Sequence, residues 1–104
     1  MAQPRENTVE NPLVKAATDH GFWVRKCVWL GRRGAPDRVF ARRGRGPVWI
    51  ELKRPGGRDS GLEALQRIEI RRMREAGCEV HVCDSVKEAM AILLADGPQP
   101  MRPV

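Results

Sequence analysis

Pro47-Val48-Trp49-Ile50-Glu51-Leu52-Lys53 is rich in β-branched and aromatic residues and reads as a strand. Side chains on a strand alternate between its two faces, so Val48, Ile50 and Leu52 turn into a core while Glu51 and Lys53 project together from the opposite side. Just upstream, Asp37-Arg38-Val39-Phe40-Ala41-Arg42 alternates in the same way, and the turn at Gly44-Arg45-Gly46 makes an antiparallel hairpin the natural pairing. Asp37, preceded by Pro36, starts the neighbouring strand and can reach the face that carries Glu51 and Lys53.

Working outward, a first helix is expected from about residue 9 to His20, stopping at Gly21. Either Thr8 caps it, or Asn11 does with Pro12 as the first helical residue. The stretch from Phe22 to Trp29 reads as a strand, broken by Gly31-Arg32-Arg33-Gly34-Ala35-Pro36. Beyond Lys53, a Gly-rich loop from Pro55 to Gly61 leads into a helix from Leu62 to Ala76. Leu62, Leu65, Ile68 or Glu69, Met73 and Ala76 would form its inner face. Cys78 to Cys83 is a further strand. Ser85 with Glu88 forms a capping box that opens a last helix with a stripe of Val86, Ala89, Met90, Leu93 and Leu94. The order is α-β-β-β-α-β-α. The strand-helix-strand passage from Glu51 to Val82 should be a right-handed crossover, which gives a mixed four-stranded sheet flanked by helices.

With 104 residues the chain has room for one modest core. Residues 1–7 are expected to be a flexible N-terminus, 8–95 the domain, and the Pro-rich segment 96–104 a disordered tail. No apolar run approaches the roughly 20 residues of a membrane span, and no secretory signal is apparent, so a cytoplasmic location is expected. The odd set Cys27, Cys78 and Cys83 argues against a disulfide framework. Cys78 and Cys83 would face opposite sides of their strand, which disfavours a zinc site with His81. The formal charge of +6, carried mostly by Arg, favours a polyanionic partner such as nucleic acid. Lys26, Arg32, Arg33, Arg54 and Arg58 are the candidate contacts, the four arginines bordering the segments that enter Asp37 and leave Lys53.

Hard divalent cations prefer oxygen ligands, and Asp37, Glu51 and the backbone carbonyl of Leu52 offer them together. A cation held there could polarise a phosphodiester and activate water. Lys53 would either orient or deprotonate that water or neutralise charge on the phosphate. Taken alone, Glu-x-Lys on a strand is ordinarily a solvated ion pair. Its company reverses that reading.

Pro36-Asp37 followed by Glu51-Leu52-Lys53 resembles the PD-(D/E)xK signature of the restriction-endonuclease-like superfamily. The ordered series Glu10, Arg33-Gly34-Ala35-Pro36-Asp37, Glu51-Leu52-Lys53 and Gln66 resembles, more narrowly, the stand-alone VRR-NUC family over about residues 6 to 94. The resemblance implies a restriction-endonuclease-like α/β core and a Mg²⁺- or Mn²⁺-dependent DNA endonuclease acting as a homodimer on branched DNA. It also implies Glu10, Asp37 and Glu51 as metal-site carboxylates, Lys53 as catalytic lysine and Gln66 as a supporting polar group. Pro12 departs from the family's continuous first helix, which leaves Glu6 as the substitute for Glu10. The rival reading is a non-catalytic nucleic-acid-binding module on the same fold. A nuclease directed at RNA or single strands would share the site.

Overall fold

The computed structural model describes residues 7–58 and 61–104. Four strands form one sheet in chain order: β1 (Trp23–Lys26), β2 (Arg38–Arg42), β3 (Arg45–Leu52) and β4 (Glu79–Cys83). β1 and β3 pair antiparallel with β2, and β4 runs parallel to β3. The helices are α1 (Asn7–Asp19), α2 (Ala64–Glu75) and α3 (Val86–Leu93). The expected element order and sheet are therefore present. No helix among the described residues is long and apolar enough to cross a membrane.

The alternation of β3 divides the core in two. Val48, Ile50 and Leu52 pack with Phe40 of β2, Val9, Leu13 and Ala17 of α1, and Ala89 and Leu93 of α3. On the other face, Ile70 and Met73 of α2 cover Val80 and Val82 of β4, with Trp29, Trp49 and Leu62 at the margin. Cys83 lies in the first cluster and Cys78 beside the second, on opposite sides of the sheet as their spacing requires, and all three thiols are free.

Several boundaries differ from expectation for identifiable reasons. Helix α1 starts at Asn7 and contains Pro12, so neither proposed start holds. Proline deletes one helical hydrogen bond, but Val9, Leu13 and Ala17 recur at helical spacing and bury fully enough to carry the helix through. Gly21 does close it, at φ +84°, with Phe22 N–H donating to the Ala17 carbonyl. Strand β1 ends at Lys26 because Trp29 turns towards α2, where its Nε1–H donates to Glu69 at 2.7 Å. Helix α2 buries the face of Ile70 and Met73 and leaves Leu65 and Ile68 substantially exposed, so the apolar face read from sequence was rotated. That rotation turns Gln66, one helical turn before Ile70, inward. Segment 96–104 is packed rather than disordered. Gln99 N–H donates to Glu79, Arg71 and Arg74 donate to the carbonyls of Val104 and Arg102, and Arg102 pairs with Glu88.

A buried ion pair joins the starts of β3 and β4. The Arg45 guanidinium donates to both Glu79 oxygens, at 2.8 and 2.9 Å, and to the Ile92 carbonyl of α3 at 3.0 Å. His81 Nε2 and Gln99 N–H also donate to Glu79. Burial alone would push the Glu79 carboxyl up, but the hydrogen bonds from Arg45, His81 and Gln99 outweigh it and bring it down to about 2. Burial holds the His81 imidazole below its ordinary value. Both groups have folded values below their unfolded ones, so both stabilise at neutral pH and lose that contribution on acidification. The loss begins with His81 below pH 6.5 and continues with Glu79 from about 4.5 towards 2. Urea titrations across this range should show stability falling in that order, with Glu79→Gln flattening the lower part. Arg45→Met, which leaves a buried carboxylate uncompensated, should cost roughly 3–5 kcal/mol at pH 7.

Candidate active site

Asp37 immediately precedes β2, and its Oδ2 accepts the Leu52 N–H at 2.8 Å. Within a strand, the N–H and C=O of one residue point to the same edge. The Leu52 carbonyl therefore faces the edge at which Asp37 stands. The turn that delivers Asp37 is pinned: Pro36 is fully buried, the Asp37 carbonyl accepts the Cys27 N–H at 2.9 Å, and Gly34 lies against the backbone of Leu65. A Cβ at position 34 would stand 2.7 Å from the Leu65 carbonyl oxygen, and φ there is +100°. Glycine is thus required both by the backbone and by the close approach to α2.

Glu51 is 1% exposed and Lys53 5%, an extreme degree of burial for two charged side chains. Lys53 Nζ lies 3.0 Å from Glu51 Oε2. Gln66 joins both: its Nε2 donates to Glu51 Oε2 at 2.8 Å and its Oε1 accepts from Lys53 Nζ at 3.2 Å. The same Oε1 accepts the Glu63 N–H at 2.9 Å, the back-hydrogen bond of a capping box at the start of α2. A carboxamide suits this position because it offers donor and acceptor from one planar group. Gly57 and Gly61 lie against the lysine stem, with the Gly61 N–H bonded to the Gly57 carbonyl. A Cβ at Gly61 would lie 3.1 Å from Lys53 Cδ.

Other sequence-derived site residues lie elsewhere. Glu10 is buried in α1, where its Oε2 accepts from Arg38 Nε at 2.7 Å and lies 3.5 Å from Lys26 Nζ. Arg38 sits on the α1 side of the sheet, two residues from core residue Phe40, whereas Glu51 faces α2. Among the described residues, no three His, Cys, Asp or Glu side chains gather as a metal-binding group, so Glu10 does not join Asp37 and Glu51. Its alternative, Glu6, lies outside the described residues. Arg32 and Arg33 lie 3.6 and 4.0 Å from Glu69 and Glu63 of the α2 region, loosely enough to leave their charges available. Arg54 is exposed, while Arg58 is directed to Glu88 of α3 at 3.2 Å. The partner role of Arg38 was not anticipated. The available signal was its position, one residue beyond Asp37 and therefore on the opposite face.

No family model matches the chain, nor does any curated protein. Among solved structures, a VRR_NUC domain superposes with a TM-score of 0.71 and 27% identity, over 84% of this chain and 91% of that one. The mixed sheet, the flanking helices and this match define a restriction-endonuclease-like nuclease-domain fold. Within that class, the chain is similar to a VRR_NUC domain over most of both chains, in line with the resemblance carried by its motifs.

The bridging by Gln66 is directly testable. Replacing it with leucine keeps the bulk but removes the amide from two buried charged partners. Urea denaturation of Gln66→Leu should show a loss of about 1–3 kcal/mol, and unchanged stability would mean that the amide is dispensable.

Proposed function

We propose that this protein is a divalent-metal-dependent DNA endonuclease with its reaction centre at Asp37, Glu51, Leu52, Lys53 and Gln66. The observation that carries the proposal is the hydrogen bond from Leu52 N–H to Asp37, which draws one carboxylate to the backbone beside a second, buried one. The available donors, two carboxylates and the Leu52 carbonyl, are hard oxygens suited to Mg²⁺ or Mn²⁺. When bound there, such an ion would supply Lewis acidity to a phosphodiester and lower the pKa of a water molecule.

The chain's own side chains would do the rest. Lys53, held 3.0 Å from Glu51, would as an ammonium be a donor placed to balance negative charge that builds on the phosphate during cleavage. Gln66 fixes the direction of both charged groups, so neither must reorganise as the reaction proceeds. Arg32, Arg33, Arg54 and Lys26 would hold phosphates on either side of the cut. So small a domain has few elements left for reading base sequence, which favours recognition of DNA shape and hence branched substrates.

The rival reading is a DNA-binding module on the same fold that does not cleave. A panel of linear, flap and four-way DNA separates the two. The nuclease reading predicts products with Mg²⁺ or Mn²⁺, none in EDTA, and a drop of about a hundredfold or more in Lys53→Ala. Binding that is indifferent to EDTA, with no product under any divalent ion, would establish the module instead.

A further inference from the structure

The segment between β1 and β2 carries two exposed apolar side chains, Val28 and Leu30, that the reaction centre does not use. It is anchored at three points: Cys27 N–H on the Asp37 carbonyl, Trp29 Nε1–H on Glu69, and Gly34 on the Leu65 backbone. Between these anchors, Val28 is 78% exposed and Leu30 101%, on either side of the inward-turned Trp29. The end of β1 adds Arg25 and Lys26 to the segment's own Arg32 and Arg33, and no acidic residue falls between Arg25 and Pro36. An apolar tip on a floppy loop could fold back on itself; here the anchors hold it in water.

We propose that Val28 and Leu30 form a wedge that inserts between bases at a branch point in DNA, while the flanking Arg and Lys side chains grip the adjoining phosphates. This rests on the nuclease reading and adds to it the device by which a branch would be selected. Charge complementarity identifies the occupant. A polyanion meets four cations, whereas a two-fold contact with a second copy through this loop would set those cations against themselves. Apolar wedges flanked by basic residues unstack base steps and bend the helix, and unstacking costs least where pairing is already interrupted. The loop leads directly into Asp37, so an inserted tip would also fix the distance between the branch and the bond to be cut.

The test uses the full chain with flap or four-way DNA carrying 2-aminopurine at the branch, in EDTA to keep the DNA intact, with saturation followed by anisotropy. Wild-type protein should raise the 2-aminopurine emission. Leu30→Ser, whose side chain is in water already, should keep the wild-type unfolding curve and still bind, but return the emission to near that of free DNA. Undiminished emission in Leu30→Ser, or no rise with wild-type protein that does cleave branched DNA in Mg²⁺, would overturn the wedge and leave the nuclease reading standing. Conversion of a dimer to a monomer by Leu30→Ser in light scattering would also overturn it and assign the loop to a second copy. If wild-type protein neither binds nor cleaves any DNA in the panel, the nuclease reading falls and takes the wedge with it.

Discussion

Two opposite charges, Glu51 near the end of β3 and Lys53 just beyond it, stand almost wholly buried on one face of the sheet, and the carboxamide of Gln66 hydrogen-bonds to both. In a domain of this size, removing a carboxylate and an ammonium from water costs several kcal/mol per ion unless hydrogen bonds replace the lost hydration. Mutual attraction at 3.0 Å offsets part of that, and the amide offsets more by donating to one ion and accepting from the other. The arrangement needs α2 at one particular rotation and distance. Gln66 at the third position of the helix provides that constraint by tying the helix start to the end of β3 through the capping bond at Glu63.

Everything near the site follows from holding α2 there. Gly34 can touch the Leu65 backbone only because it has no side chain, and that contact sets the turn that presents Asp37 to Leu52. Trp29 reaches Glu69 on the same helix and shortens β1 in doing so. At the far end of β3, Arg45 and Glu79 fix the start of β4 against α3 and the C-terminal segment, so β3 is clamped by a buried ionic contact at each end. A strand held this firmly suits a reaction centre that must present its groups without reorganising.

The architecture was legible because its signals are local: alternation in β3, the tight turn before it, Gly21 after α1, and Ser85 capping α3 with its Oγ accepting the Glu88 N–H. Asp37, Glu51, Lys53 and Gln66 could be named from their order along the chain, and the structure brings them into one neighbourhood. What stayed hidden depends on partners distant in sequence. The rotation of α2 was misread because Leu65 and Ile68 look more suited to a core than Gln66, and only the buried charges explain why the glutamine turns inward. Glu10 was grouped with the other carboxylates, but Arg38 faces α1 and captures it. The Pro-rich C-terminal segment has no periodicity to reveal that Glu79, Glu88, Arg71 and Arg74 would hold it.

The proposed site would hold one divalent cation between Asp37, Glu51 and the Leu52 carbonyl, beside Gln66. Paramagnetic broadening by sub-stoichiometric Mn²⁺ in the ¹⁵N–¹H spectrum tests it most directly. The Leu52 backbone amide and the Gln66 side-chain amide should broaden first, and both should be spared in Asp37→Asn. Broadening that spares these two signals and centres on Glu10 and its neighbours in α1 would contradict it.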